Sequence, residues 1–466
     1  MDGIEKILDM SRPIGDIITD LKTKSVEVPS WSDLKKDYEP TLHSIVDDKI
    51  NRRDRTRSDG TLEKASRIYL GLEKLLTSRI TEFMFAIPPK RIYHNTEDNK
   101  VRQQIANAIE MIYKYARINS ENIKRGNAYF ASCEIFTIWY AVSSSNTLYG
   151  FNSKYKLKCK TYSQMEGCKL YPLFDEYGDM LAMSIEYQKR VKDETITFFE
   201  TYTADKHYKW QHKGNDYEEV IGGELISVLK IPGVYASRPT PIYHGLSYIR
   251  EEIEYTLSRN SDIIAYNSAP VLKVAGGIQG EEKKGEARRV YRVENGGDVS
   301  YVSWAQSIEA LKYHVETLMN MFWTQSQMPD ISFENMRSLG NIGFDARQTL
   351  LTDAHLKVGD ESGVWNEFFD RETNVIKAFL KEMNKAWATE IDNVEVEHVI
   401  TPFIQNDEKA EIDKWITASG GKAIMSQLEA IKNLGLSSNP EETLKQIQSE
   451  EAVSNAVINN VFEAVE

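Results

Sequence analysis

The sequence predicts an α+β protein in which helix exceeds strand. Two long segments, residues 61–86 and 344–387, repeat apolar side chains at the three-and-four spacing of amphipathic helices. Between them, residues 128–235 are rich in β-branched and aromatic residues separated by turn-forming ones, which indicates a mostly antiparallel sheet module. With 466 residues, 41% of them hydrophobic, the chain is long enough for several compact units, each with its own core.

The first helical segment ends at Pro88 and Pro89, because a proline removes a helical hydrogen bond and clashes with the preceding turn. A second helix is predicted from residue 101, with its stop near Gly126. The sheet module follows. Its predicted strands are residues 129–142, 181–188, 195–203 and 225–234, with a turn at residues 175–179.

After Pro241, the apolar spacing predicts a helix from about residue 246 to near Pro270. Four charged residues are predicted on its solvent face: Arg250, Glu251, Glu254 and Arg259. A small β insert follows, with short strands predicted at residues 271–275, 290–294 and 299–304. Such an insert is too small to hold a core alone.

A second helix, residues 308–322, leads into a constrained loop at residues 330–343. The long helical segment 344–387 comes next, and if continuous it would span roughly 65 Å. Gly359 and Gly363 lie midway along it, where a kink is expected.

The C-terminal part is predicted to be an acidic group of short helices. Residues 406–466 contain eleven acids and five lysines. Asn439 and Pro440 are typical of a helix start, and Gly435 is a suitable stop for the helix before them. The predicted elements here are a strand at residues 394–403 and helices at residues 407–418, 421–434 and 440–452.

Composition and motifs argue against catalysis and against tight nucleic-acid binding. The formal charge is −13, and affinity for a DNA duplex comes mainly from cations, although an acidic protein can still let DNA slide past. No phosphate-binding glycine loop, HExxH, GxSxG or GxGxxG motif occurs. The three cysteines lack CxxC spacing, so we expect free thiols in a reducing compartment. No signal peptide, membrane span or cofactor is predicted.

Two sets of polar residues could form a site but are typical of solvent-exposed surfaces. Carboxylate pairs of the type that glycosidases use lie among lysines and arginines on amphipathic helices: Glu251 with Glu254, and Asp360 with Glu361. These acids are predicted to be solvated. His207 and His212 lie in a polar hairpin with no carboxylate at ligand spacing, so no metal site is predicted there.

The order of these elements and several short motifs resemble the portal proteins of tailed bacteriophages, most closely the Gp6-like class of siphophages. The motifs are IPGVY at 231–235, REEIEYTLS at 250–258, YNSAP at 266–270, PDISFENM at 329–336, LGNI at 339–342, TDAHLK at 352–357, AIKNLGL at 430–436 and NPEE at 439–442. The resemblance extends from about residue 60 to 455. Each motif alone is weak, but their order and spacing together are fairly specific.

The resemblance implies the portal fold, which consists of a wing, a stem, a clip and a crown, with a long kinked helix and a tunnel loop. The implied boundaries are an N-terminal arm at 1–60, the wing at 61–240 and 345–415, stem helices at 241–267 and 306–328, the clip at 268–305, the tunnel loop at 329–344 and the crown at 416–466.

The resemblance also implies a non-enzymatic function. About a dozen subunits would form a ring at one capsid vertex, as a channel through which double-stranded DNA is packaged and ejected without sequence specificity. The implied partners are the large subunit of the terminase motor, a head-completion adaptor at the head-tail connector, and the major capsid and scaffolding proteins. The protein would be found in the virion and, during assembly, in the host cytoplasm.

Particular residues acquire roles through the resemblance. The tunnel-loop residues expected to face DNA are Asn335, Met336, Arg337, Ser338 and Asn341, although Met336 could instead pack against the stem. The clip residues expected to contact the motor and adaptor are Lys283, Lys284, Arg288, Arg289 and Arg292, for which a solvated charge run is the alternative.

Two other classes of function compete with this prediction. Another phage structural protein, such as a tail or baseplate component, could also combine a sheet module with long helices, but the order of stem, clip, stem and loop favours a portal. A carboxylate hydrolase would need paired acids in a cleft.

Overall fold

The computed structural model describes most of the chain. The described residues are 4–50, 52–56, 59–214, 216–267, 271–275, 278–279, 292–293, 298–302, 308–330, 349, 351–403, 408–420, 423–435, 437 and 439–463. Its α-helices are α1 Ile4–Ile7, α2 Ile14–Thr23, α3 Trp31–Tyr38, α4 Ser44–Asp47, α5 Leu72–Phe85, α6 Lys100–Ala116, α7 Ile118–Ser132, α8 Ser247–Asn267, α9 Ile308–Ser326, α10 Thr352–Met383, α11 Glu408–Ser419, α12 Gln427–Leu434 and α13 Pro440–Glu463. The fold is therefore mixed helix and strand, as predicted.

The strands pair antiparallel throughout the described part of the chain. They are β1 Arg55–Thr56, β2 Leu62–Glu63, β3 Lys90–His94, β4 Glu134–Asn146, β5 Ser153–Tyr162, β6 Lys169–Phe174, β7 Met180–Val191, β8 Glu194–Thr203, β9 Lys206–Lys213, β10 Asp216–Leu225, β11 Gly233–Ser237, β12 Val271–Ala275, β13 Ile278–Gln279, β14 Arg292–Val293, β15 Asp298–Val302 and β16 Glu395–Val399.

The predicted sheet module consists of two sheets. One has the strand order β11-β4-β5 and the other β10-β9-β8-β7-β6. Phe136 and Ile138 of the first sheet pack against Leu170, Met183 and Ile185 of the second, and all five are buried. The strand predicted at residues 225–234 is wrong: β10 ends at Leu225 and β11 begins at Gly233.

The helix predicted from residue 61 begins instead at Leu72, because the preceding backbone bonds to side chains of α8. Three amide groups donate to it: Ser66 to Asp262 (2.8 Å), Ile68 to the Ser258 hydroxyl (2.8 Å) and Leu70 to Glu254 (2.7 Å). A backbone amide satisfied in this way does not need a helical partner. Residues 66–70 therefore lie along α8 in a non-helical conformation.

The second predicted helix is two helices. Arg117 adopts a left-handed conformation (φ 58°) that ends α6 and starts α7. Cys133 is also left-handed (φ 67°) and separates α7 from β4, so the predicted strand at residues 129–142 begins five residues later, at Glu134. Neither position is glycine, the residue that usually marks such a turn in a sequence.

The main core joins α5, α6, α7, α10 and the three-stranded sheet. Trp365 of α10 is 1% exposed and lies 4.8 Å, centroid to centroid, from the ring of Phe85 and 5.4 Å from that of Tyr129. Trp139 of β4 is fully buried in the same cluster. Edge-to-face contacts between large aromatic rings therefore contribute to the packing of this core.

The predicted N-terminal arm folds onto the sheet module. Ile17, Ile18 and Leu21 of α2 are buried against Phe199 and Trp210 of the five-stranded sheet, in a core separate from the main one. These helices therefore cover one face of that sheet.

A polar anchor ties the start of α3 to the three-stranded sheet. The backbone amide of Trp31 donates to Gln164 (2.7 Å), whose own amide donates to Glu134 (2.7 Å). Tyr235 donates to the other Glu134 oxygen (2.8 Å). Burial raises the pKa of Glu134 to about 7, and these hydrogen bonds act against that rise.

The long helix is shorter than the sequence predicted. Helix α10 runs from Thr352 to Met383 and ends where Asn384 leaves the helical conformation. The predicted start at residue 344 lies outside the described residues. Gly359 and Gly363 are within α10, both with open space beside them, and the kink expected there remains a prediction.

The C-terminal helices α11, α12 and α13 belong to a compact unit of their own. Ser426 and Glu429 form a reciprocal capping box at the start of α12, and Gly435 ends that helix in the left-handed conformation (φ 71°), as predicted. Helix α13 is longer than predicted, extending to Glu463.

The three cysteines are free, as predicted, and Cys133 and Cys168 are buried. Within the described residues, every helix is too short or too polar to cross a membrane.

Candidate functional site around the helix pair

Helices α8 and α9, which flank the small β insert, pack against each other. They match the two helices that the sequence predicted on either side of that insert. The site of interest is the set of contacts that fixes this pair to the rest of the fold and positions the ends of the loop that follows α9.

Arg250 of α8 is the centre of a buried ionic cluster. Its guanidinium contacts Glu73 of α5 (2.8 Å), Glu254 one turn along α8 (3.3 Å) and Asp37 of α3 (3.0 Å). The side chains of Arg250, Glu73 and Glu254 are fully buried, whereas Asp37 is 44% exposed. Three separate helices are therefore joined through one guanidinium group.

His43 completes this cluster. Its Nδ1 lies 2.7 Å from Glu254 and its Nε2 lies 2.9 Å from the carbonyl oxygen of Asp37. Burial raises the pKa of the Glu73 carboxyl, and the guanidinium of Arg250 acts against that rise. Arg250, Glu73 and Glu254 are thus paired in a fully buried site, where removal of one partner is costly.

This geometry corrects the prediction that Arg250 and Glu254 are solvated. Both are buried, because the N-terminal segment and α5 cover that side of α8. Glu251 remains partly exposed, accepting a hydrogen bond from Ser44 (3.2 Å). The partners Glu73, Asp37 and His43 gave no signal in the sequence, since they lie some 180 to 210 positions away.

Arg79 of α5 holds the chain where it leaves α9. Its guanidinium donates to the carbonyl oxygen of Pro329 (2.9 Å), lies 3.6 Å from a carboxylate oxygen of Asp330 and stacks over the ring of Trp323 at 4.4 Å. Burial lowers the pKa of Arg79, and Asp330 acts in the opposite direction. The start of the predicted loop is therefore fixed to α5.

The chain after the loop is fixed to the same helix. His355, near the start of α10, contacts the ring of Phe83 in α5, and Phe83 also packs edge-to-face on Phe403. Because α5 contacts both ends, the loop between α9 and α10 is attached to one rigid element on each side.

Glu361 is placed between the two predicted hinge glycines. It pairs with Arg238 (3.3 Å) and with Lys357 (3.8 Å), and its side chain is only 12% exposed. It was predicted to be solvated, so this part of the prediction is wrong, whereas Asp360 is exposed as expected. Arg238 also stacks on the rings of Tyr129 and Phe130, which ties α10 to α7.

A second buried ion pair holds the middle of α10. Arg125 of α7 and Glu372 of α10 are both fully buried and lie 2.6 Å apart. Asn122 accepts a hydrogen bond from Arg125 (2.9 Å), and the indole N–H of Trp139 donates to Glu372 (2.9 Å). Every charged group of the pair therefore has a partner.

The loop and clip residues named from the sequence lie almost entirely outside the described residues. This holds for all five loop residues, Asn335, Met336, Arg337, Ser338 and Asn341, and for Lys283, Lys284, Arg288 and Arg289 of the clip. Arg292 begins β14, which pairs with β13 through Gln279. Their roles remain predictions.

The described residues contain no group of three or more His, Cys, Asp or Glu side chains that could hold a metal ion. His207 stacks on Tyr202 and lies 3.6 Å from Glu200, which also contacts Lys209 (2.5 Å). The buried acids around the helix pair are neutralised by arginines. This arrangement suits rigid positioning of helices rather than proton transfer.

Comparisons with known proteins identify the family. The family model for "Phage portal protein, SPP1 Gp6-like" matches residues 23–456, which is most of the chain. A comparison with curated protein sequences finds no match.

Among solved structures, similarity is found to a chain described as "Neck of empty GTA particle computed with C6 symmetry". It covers 78% of this chain and 89% of that chain at 10% identity, with a TM-score of 0.35, which is too low to support a conclusion. Proteins of the matched family are structural and non-enzymatic. Because the family model matches most of the chain, the chain belongs to the phage portal proteins of the SPP1 Gp6-like type.

Proposed function

We propose that about a dozen copies of this chain form a ring at one capsid vertex, and that double-stranded DNA passes through its channel during packaging and ejection. The family match over residues 23–456 carries the proposal. The helix pair supports it, because α8 is fixed by a fully buried arginine with two buried carboxylates, as a rigid wall element requires. The protein acts in the virion, and in the host cytoplasm during assembly.

Negative-stain electron microscopy of the purified full chain tests this function. Rings with an axial hole are expected. A protein that stays a compact monomer at every concentration would remove the proposal.

The subdivision of the subunit follows from the same proposal. The stem comprises 241–267 and 306–328, which include α8 and α9; the clip is 268–305, the tunnel loop 329–344, the wing 61–240 with 345–415, the crown 416–466 and the N-terminal arm 1–60. The pairing of β12 with β15 and of β13 with β14 supports a separate clip, since two-stranded units are marginal without neighbours.

The tunnel loop is proposed to face DNA through Asn335, Met336, Arg337, Ser338 and Asn341. The contacts of Arg79 with Pro329 and Asp330 support this role, because a loop held at its base can move without disturbing the stem.

Replacing Arg337 and Asn335 by alanine is therefore expected to change the packaging rate and to reduce DNA retention, because a cation and an amide near the phosphates are lost. In vitro packaging with the purified motor measures both quantities. The matched control replaces exposed Arg190 and Asn152 by alanine. An unchanged rate and unchanged retention in the loop variant would exclude contact between these residues and DNA.

The clip is proposed to dock the terminase large subunit and later the head-completion adaptor, while other surfaces of the subunit contact the major capsid and scaffolding proteins. Five basic residues would supply this contact: Lys283, Lys284, Arg288, Arg289 and Arg292. Changing them to glutamate should weaken motor and adaptor binding by about tenfold or more, because like charges would then face each other. Binding is measured with rings confirmed by microscopy, and normal affinity would count against the docking role.

A further inference from the structure

Strand β5 carries four lysines at every second position. Because successive side chains of a strand point to opposite faces, Lys154, Lys156, Lys158 and Lys160 share one face, which we call the β5 lysine row. Lys154, Lys158 and Lys160 are exposed, and Lys156 is half-buried. The intervening Leu157 and Thr161 are buried on the other face. Strand β5 is also an edge strand, bonded only to β4 in its sheet.

The row is a local concentration of positive charge in a protein of net charge −13. Within the described part of the chain, no carboxylate lies within ion-pair distance of these four ammonium groups. Two of them are instead oriented by aromatic rings: Lys160 lies 4.3 Å from the ring centre of Tyr162, and Lys156 lies 5.7 Å from that of Tyr115. Such contacts leave the ammonium charge uncompensated.

Two acids of neighbouring elements are already paired with other lysines. Glu121 of α7 contacts Lys124 (3.3 Å), and Glu200 of β8 contacts Lys209 (2.5 Å). The positive charge of the row is therefore available to a ligand.

The shape of the row favours a long, regularly charged ligand. From the first lysine to the last, the strand covers about 20 Å at roughly 3.3 Å per residue. Each strand of a DNA duplex carries one phosphate per roughly 3.4 Å of helix axis, so each lysine can reach a phosphate. Tyr140 lies opposite Lys158 on the same face and is 40% exposed, which offers a further polar contact.

We propose that the β5 lysine row binds the phosphate backbone of double-stranded DNA on a surface separate from the channel. The inference rests on the proposed function in one respect, that the channel is formed elsewhere in the subunit. It adds a second DNA contact, in the sheet module. The simplest alternative is that lysines on an edge strand only prevent it from pairing with other strands. An acidic protein segment is a different kind of partner, and the experiment separates it.

Closed-circular duplex DNA is the probe, because an intact ring cannot thread a covalently closed circle. Binding of the full chain is measured over a range of salt concentrations. Four phosphate contacts predict a slope of about −3.6 for the logarithm of affinity against that of salt. The variant K154Q/K156Q/K158Q/K160Q should lose most of this slope and, at low salt, more than about tenfold in affinity.

The matched control, K24Q/K35Q/K90Q/K189Q, removes four exposed lysines from other elements and the same net charge. This control should bind circular DNA with the same affinity as the unmodified chain. If it loses as much affinity as the row variant, the effect is one of net charge and the proposal is overturned. A variant with arginine at the four row positions should still bind circular DNA. If this arginine variant loses DNA binding while the glutamine variants remain folded, the proposal is also overturned.

Three further results would overturn the inference. The first is binding of linear but not circular DNA. The second is a glutamine variant that loses affinity for polyglutamate but not for DNA, which would identify an acidic protein partner. The third is a glutamine variant that aggregates more but binds DNA unchanged. This result would mean that the lysines only prevent the edge strand from pairing with other strands. If microscopy shows rings but the chain does not bind circular DNA, only the proposed role of the β5 lysine row is rejected. If no rings form, the proposed function is rejected.

Discussion

Replacement of Arg250 by methionine is expected to lower the free energy of unfolding by about 3 to 5 kcal/mol, because Glu73 and Glu254 would stay buried without their cation. Methionine keeps much of the side-chain volume, so the loss reports mainly on charge. Urea unfolding followed by tryptophan fluorescence measures it, at one protein concentration for all variants, since assembly alters apparent stability.

The loss should also depend on pH. Burial already raises the pKa of Glu73, and removal of Arg250 would raise it further. A carboxyl whose folded pKa lies above its unfolded value disfavours folding when ionised and ceases to do so once protonated. The difference between the variant and the unmodified chain should therefore shrink as the pH falls from about 7.5 towards 5.

Arg259→Met on the same helix is the matched control, because Arg259 is exposed. This substitution should change the free energy of unfolding by no more than about 0.5 kcal/mol. Equal losses at positions 250 and 259 would contradict the ionic cluster.

Separate replacement of Arg125 and Glu372 by methionine should each cost about 3 to 5 kcal/mol, because either change leaves one charge unpaired in a fully buried site. The double variant should lose less than the sum, with a coupling of about 2 to 3 kcal/mol. It will not recover fully, because the indole N–H of Trp139 loses its acceptor. A double-mutant cycle by urea unfolding gives these values.

The exposed pair Arg371 and Glu367, one turn apart on the same helix at 2.5 Å, is the control cycle. Exposed pairs at this spacing couple by less than about 0.5 kcal/mol. A similar coupling in both cycles would mean that burial adds nothing to the Arg125–Glu372 pair.

Apolar periodicity predicted helices well where apolar side chains determine packing. In α10, which lies in the segment predicted from its apolar spacing, Val358, Phe368, Phe369, Ile376 and Leu380 are all buried. The match extends to the existence of α8 and α9 and to the antiparallel sheet module. The pattern depends on apolar residues alone, however, and therefore cannot predict the burial of an acid such as Glu372.

The errors share a physical cause, which is a tertiary partner that overrides a local preference. Residues 66–70 have helical spacing, but their amides bond to side chains of α8. Arg250 and Glu254 alternate with apolar positions as a solvent face would, yet α5 and the N-terminal segment cover them. Arg117 breaks a helix without a glycine or proline to announce it.

The ionic partners lie far apart in the sequence, and this separation limits when each pair can form during synthesis on the ribosome. Asp37 and Arg250 are 213 positions apart, and Arg125 and Glu372 are 247 positions apart. At roughly 5 to 20 residues per second, the acid of the first pair waits on the order of 10 to 40 s for its arginine. During that interval Asp37 and Glu73 lack the arginine that pairs with them in the folded chain. The Arg250 cluster can therefore form only after α8 has been synthesised.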